Sequence, residues 1–85
     1  LIHYTSPLFW ESYERLPQAI QETADSSYDL LKRNPRHPSL HLKQIGHYWS
    51  VRVGLHYRAL GISVPDGVLW FWIGNHAEYD RMITS

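Results

Sequence analysis

The chain has 85 residues, 44% of them apolar, with four Trp, six Tyr and two Phe, and eight Lys/Arg balance eight Asp/Glu to a formal net charge of zero. This is one domain, residues 1–85, with enough aromatic area to build a core, and the composition argues against disorder. Without cysteine there is neither a disulfide framework nor a thiolate metal site, and the longest apolar run, Val68 to Ile73, is too short to span a bilayer.

Ile2 to Thr5 alternates weakly and reads as a short edge strand. Ser6-Pro7 is a helix start, with Ser at the N-cap and Pro at the first helical position. Phe9, Tyr13 and Leu16 recur at helical spacing, so a first helix is expected over 7–16. Pro17 interrupts it and opens a second helix, on which Ile20, Ala24, Tyr28 and Leu31 form one stripe; Asn34-Pro35 ends it. The two helices make a hairpin with an acidic outer face. Arg36 to Ser39 is a loop. Leu40 and Leu42 alternate with His41 and Lys43, which predicts a strand over 40–45. Tyr48 to Val53 is a strand, with Trp49, Val51 and Val53 on one face and Tyr48, Ser50 and Arg52 on the other. Gly54-Leu55-His56 turns into a strand over 57–64, and Pro65-Asp66-Gly67 is a further turn. Val68 to Ile73 is a central strand ended by Gly74-Asn75, with Phe71 expected in the core; Trp70 and Trp72 are open between core packing and base stacking. His76 to Ile83 is a short helix or tail. The expected fold class is α+β: a small antiparallel sheet with the helical hairpin on one face, in the order β-α-α-β-β-β-β.

Net neutrality conceals a split. Residues 30–65 contain no Asp or Glu, but carry Lys32, Arg33, Arg36, Lys43, Arg52 and Arg58 with His37, His41, His47 and His56. Residues 1–29 carry Glu11, Glu14, Glu22, Asp25 and Asp29 against Arg15. The middle segment therefore predicts a cationic face suited to a phosphate-rich polymer; the plainer alternative is a solvated basic surface. A turn centred on Leu55 sets Arg52 opposite Arg58, and two guanidiniums side by side match phosphate oxygens. Alternatively each pairs with a carboxylate, such as Glu14, Asp29, Glu78 or Asp80. His76 follows the last strand and can exchange a proton near pH 7, or else caps the junction. His37 and His41 flank the first main strand and offer a second acid–base group. His-x₃-His also suits a metal on a helix, but Pro38 and the strand pattern oppose a helix, so no metal and no cofactor are expected. Lys43 can touch phosphate or remain solvated. Imidazoles beside a cationic sheet suit RNA cleavage by its own 2′-OH.

The run His37-Pro38, Leu42-Lys43, Tyr48-Trp49-Ser50-Val51-Arg52-Val53-Gly54, Tyr57-Arg58-Ala59-Leu60, Trp70-Phe71-Trp72-Ile73-Gly74-Asn75-His76 and Tyr79-Asp80 resembles the RelE/ParE superfamily of bacterial toxins from type II toxin–antitoxin pairs. The resemblance extends over most of the chain, including the helical hairpin, and implies the same element order. It implies a ribosome-associated mRNA endonuclease, as in the RelE, YoeB and YafQ branches. There Arg58 would polarise the scissile phosphate, His76 would be the general acid and His37, which precedes a Pro as in the YafQ branch, the base; His41 beside it is a further candidate base from the residues themselves. Arg52 and Lys43 would contact RNA phosphates, and Tyr79 lies near the position of an aromatic that stacks on the mRNA base. The glutamate base of the YoeB branch has no counterpart, and active members are strongly basic where this chain is neutral. The implied partners are a cognate antitoxin, mRNA on the ribosome, and operator DNA through the antitoxin complex, with no membrane and a cytoplasmic location. The alternatives are a ParE-like inhibitor of DNA gyrase and a catalytically inactive member that binds its antitoxin.

Overall fold

The computed structural model describes residues 1–84. Elements follow in the order β1 (Ile2–Thr5), α1 (Pro7–Glu14), α2 (Gln18–Arg33), a 3₁₀ turn (Pro38–Leu40), β2 (Lys43–Ile45), β3 (Tyr48–Val53), β4 (Tyr57–Val64), β5 (Gly67–Asn75) and α3 (His76–Thr84). The five strands form one sheet in the order β1-β5-β4-β3-β2. β2 to β5 pair antiparallel, whereas β1 pairs parallel with β5. The expected antiparallel sheet thus has one parallel edge, because α1 and α2 carry the chain from one edge of the sheet to the other before β2.

The hairpin is built from local signals. The Ser6 hydroxyl accepts the Phe9 N–H at 3.4 Å and Pro7 opens α1. At the corner, Gln21 Nε2 donates to the carbonyls of Tyr13 and Leu16 at 3.1 and 3.3 Å, satisfying acceptors that the end of α1 leaves open. The Tyr13 hydroxyl donates to Asp25 Oδ1 at 2.8 Å, tying the helices together, and that bond raises its pKa above the usual 10. Leu16, Ala24 and Leu31 of the hairpin region meet Val51, Val53, Ala59, Val68, Trp70 and Ile73 of the sheet in the core. β1 covers β5 only as far as Trp70. Beyond it, buried Ser12 accepts the Ile73 N–H at 3.0 Å and donates to the Phe9 carbonyl at 2.9 Å, so α1 closes the rest of that edge.

Two expectations need correction. Residues 40–45 are not one strand: Pro38–Leu40 is a 3₁₀ turn, His41 is left-handed at φ 45°, and β2 starts at Lys43. Pro38 presets the turn and the His37 ring accepts the Ser39 N–H at its start, while Leu40 is drawn into the core. Phe71 is not core either. The β4–β5 register steps from Leu60↔Trp72 to Gly61↔Trp70 and skips Phe71, a bulge that breaks the alternation. Trp70 and Ile73 both reach the core although they are three residues apart, and Phe71 packs beside Tyr48 instead. The tail is also settled: β5 continues to Asn75, and 76–84 is helical.

Trp70 Nε1–H donates to His3 Nδ1 at 3.1 Å, pinning β1 to the core. Burial holds the His3 pKa below its usual 6.5, helped by the N-terminal amine and Lys32. The unfolded chain therefore binds this proton more readily than the fold does. The contribution is present above pH 6.5 and is lost as pH falls through the lowered folded value. Urea midpoints from pH 7.5 down to 5 are expected to fall further for the wild type than for His3→Asn; parallel profiles would contradict this account.

Candidate phosphate-binding site

The face of the sheet opposite the hairpin carries the arginines. Gly54, at φ 63°, allows the tight turn after β3, and the register then sets Arg52 opposite Arg58. Cross-strand partners point the same way from neighbouring positions. Lys43 of β2 lies opposite Ser50 and so shares this face. Among the described residues the ion pairs are Lys32–Asp29 and His76–Asp80, so no carboxylate lies within 4.0 Å of either guanidinium. Asp29 and Asp80 are already engaged, and Glu14 and Glu78 make no ion pair.

α3 covers one end of this face. It starts where β5 stops, with the His76 N–H donating to the His56 carbonyl at 2.8 Å and Asn75 Oδ1 capping the Glu78 N–H at 2.9 Å. One turn on, the Tyr79 ring meets the His76 ring at a centroid distance of 5.7 Å, and Arg58 Cζ lies 5.3 Å from the same ring. Arg58 and His76 are thus two tenants of one aromatic platform. His76 Nδ1 lies 3.0 Å from Asp80 Oδ2, and since a carboxylate only accepts, Nδ1 carries the proton. Nε2 makes no hydrogen bond among the described residues.

Buried polar atoms on the same face lack partners: Arg58 Nε and Nη1, Ser50 Oγ and the Tyr79 hydroxyl. Buried groups of this kind are normally satisfied, so these atoms stand out among the described residues. Sequence reasoning missed Ser50, although it shares the strand phase of Arg52. Tyr79 differs from expectation as well. It is 3% exposed, with its ring occupied by Arg58 and His76, so it is a support and not an open stacking surface for a base.

His41 lies at the other end, its Nε2 3.4 Å from Arg52 Nη1. A guanidinium only donates, so this nitrogen is the acceptor. His37 is placed otherwise: its Nδ1 lies 3.2 Å from the Ser39 N–H and 2.8 Å from Ser39 Oγ, and it touches none of the other candidates. The structure therefore joins Arg52 with His41, and Arg58 with His76 and Tyr79, and leaves His37 as a cap. An apolar cavity of about 110 Å³ lies between hairpin and sheet beside Phe9, Tyr13 and Leu31, and no candidate residue lines it. Among the described residues no helix is long and apolar enough to cross a membrane.

Comparison with known proteins agrees with this architecture. Residues 18–81, more than half of the chain, match the model of the ParE-like toxin domain. No curated protein sequence matches at a significant level. Among solved structures, the RelB–RelE antitoxin–toxin complex from Methanococcus jannaschii is similar at 18% identity and TM-score 0.69, over 92% of this chain and 96% of that one. YafQ from E. coli is similar at 14% identity and TM-score 0.68, again over 92% and 96%. A YoeB/ParE toxin from Agrobacterium tumefaciens is similar at 18% identity and TM-score 0.66, over 89% of this chain and 99% of that one. Identities this low speak for the fold, and the family match supplies the membership: the chain belongs to the ParE-like toxin domain family.

Proposed function

We propose that this toxin is a ribosome-associated endoribonuclease that cleaves mRNA by attack of the 2′-OH on the adjacent phosphate. One observation carries the reading: the Arg58 guanidinium has no carboxylate beside it and keeps two buried donor atoms unpaired, while sharing the Tyr79 ring with a histidine whose Nε2 is free. In this mechanism the 2′-oxygen forms a bond to phosphorus as the bond from phosphorus to the 5′-oxygen breaks. His41 Nε2 takes the 2′-OH proton once phosphate draws Arg52 away, and His76 Nε2 delivers a proton to the leaving oxygen. The products are a 2′,3′-cyclic phosphate and a 5′-hydroxyl. Arg58 and Arg52 offset the charge gathered on the phosphoryl oxygens, and Lys43 holds the strand nearby. His37 remains the alternative base, acting through Nε2. A cognate antitoxin that covers the cationic face would silence it, and operator DNA would be met through that complex.

A second reading has its own support. The matching family model is named for ParE, and the net charge of zero weakens attraction to a ribosome. On that reading the chain inhibits DNA gyrase without catalysis. Primer extension on a reporter mRNA after induction separates the two. The ribonuclease reading expects new in-frame cuts that His76→Ala reduces on the order of a hundredfold or more, the usual worth of a general acid. Growth arrest with intact mRNA would transfer the assignment to gyrase, and neither effect would leave an antitoxin-binding protein.

A further inference from the structure

The sequence contains a carboxylate one helical turn after His76, and the resemblance to the toxin family assigns it no task. The geometry points to Asp80 as a positioning residue for His76, a role that rests on the ribonuclease reading: its carboxylate holds Nδ1–H, so that Nε2 is the nitrogen presented to the leaving oxygen.

The imidazole is constrained from several sides. Its own backbone N–H is fixed to the His56 carbonyl at 2.8 Å, which locks the start of α3 to the β3–β4 turn. The Tyr79 ring lies at 61° to it with centroids 5.7 Å apart, and Asp80 Oδ2 takes Nδ1 at 3.0 Å. Residues i+3 and i+4 of a helix stand beside residue i, so both supports come from one turn. The turn is itself anchored, because Tyr79 is buried under Arg58. Stability gives a weak reason for the His76–Asp80 pair. Both side chains are about half exposed, at 49% and 55%, and such pairs contribute little. Orientation needs no large energy, only a preferred tautomer. With Nδ1–H committed to Asp80, neutral His76 keeps its lone pair on Nε2. The proton gained on charging therefore sits on Nε2, on the ring edge away from Asp80, and is the one available for transfer. Asp80 touches no reacting atom in this scheme; it acts through His76.

The test uses Asp80→Ala, an exposed helical substitution that favours the fold, with Asp80→Glu as the conservative control. Nitrogen-15 NMR of the free toxin at pH 8 reads the His76 tautomer. The wild type is expected to be mainly Nδ1–H, Asp80→Ala to shift towards Nε2–H, and Asp80→Glu to return most of the way. On programmed ribosomes carrying a reporter mRNA, Asp80→Ala is expected to lower kcat on the order of tenfold with KM unchanged, part of the general-acid contribution. An unchanged tautomer would overturn the proposal. So would an unchanged or raised kcat, the latter marking Asp80 as a charge that merely repels phosphate. A wild type that leaves the mRNA intact overturns the ribonuclease reading instead, and the tautomer measurement then decides the His76–Asp80 relation by itself.

Discussion

Arg58→Ala is expected to abolish toxicity on induction and to lower mRNA cleavage by about 10²–10³-fold, the scale for losing a donor that stabilises transition-state charge. The protein should remain folded. Arg58 Nε and Nη1 are buried without an acceptor, and no carboxylate is left stranded when the side chain is removed. Removing the unpaired buried donors relieves a cost, while losing the contact over Tyr79 adds one, so the melting temperature of Arg58→Ala should stay close to that of the wild type. Loss of toxicity with a retained melting temperature is the combination that separates a functional arginine from a structural one. Arg58→Lys is not expected to rescue cleavage, because an ammonium lacks both the planar fork for two phosphate oxygens and the flat face that lies over Tyr79. Full toxicity in Arg58→Ala would remove the residue from the mechanism.

The largest effect on stability is expected from Trp70→Ala. Trp70 is 3% exposed in the main core, and its indole N–H holds His3. Truncating a buried Trp costs about 3–5 kcal/mol, against a total of about 5–15 kcal/mol for a domain. In a chain of this length each kcal/mol shifts the melting temperature by about 4–8 °C, so a drop of more than about 10 °C is expected by calorimetry. Phe71→Ala is the informative neighbour. Phe71 is half-buried at the bulge beside Tyr48, outside the main core, and should cost clearly less. Equal losses at the two positions would mean that the bulge register is wrong.

These two aromatics also show where sequence reading stops. The hairpin was legible because its signals are local: Ser6-Pro7 starts a helix, Pro17 divides it, and Ile20, Ala24 and Leu31 repeat with the helical period. β3 and β4 were legible from alternation and from the Gly54 turn, and that turn alone predicted that Arg52 faces Arg58, as it does. Charge segregation along the chain put Lys43, Arg52 and Arg58 in one segment, and the strand register sets these three on one face. Phe71 was misjudged because a bulge is set by how two strands pair, and a continuous apolar run contains no mark of the skipped residue. Leu40 was misjudged because a buried Leu in a short turn has the same local pattern as one in a strand.

What the sequence by itself determined, beside the family resemblance, is the helical hairpin, strands β1 and β3 to β5 and the facing arginines, all of which depend on neighbours within a few positions or one turn. Only the tertiary structure decided that β1 runs parallel to β5, that Tyr79 lies under Arg58 and beside His76, that His41 and not His37 reaches Arg52, and that Ser50 and Arg58 keep donor atoms unpaired. These facts depend on pairs far apart in the chain or on side-chain direction. Composition and period constrain neither, because a contact between distant residues is selected by the packing of the whole domain.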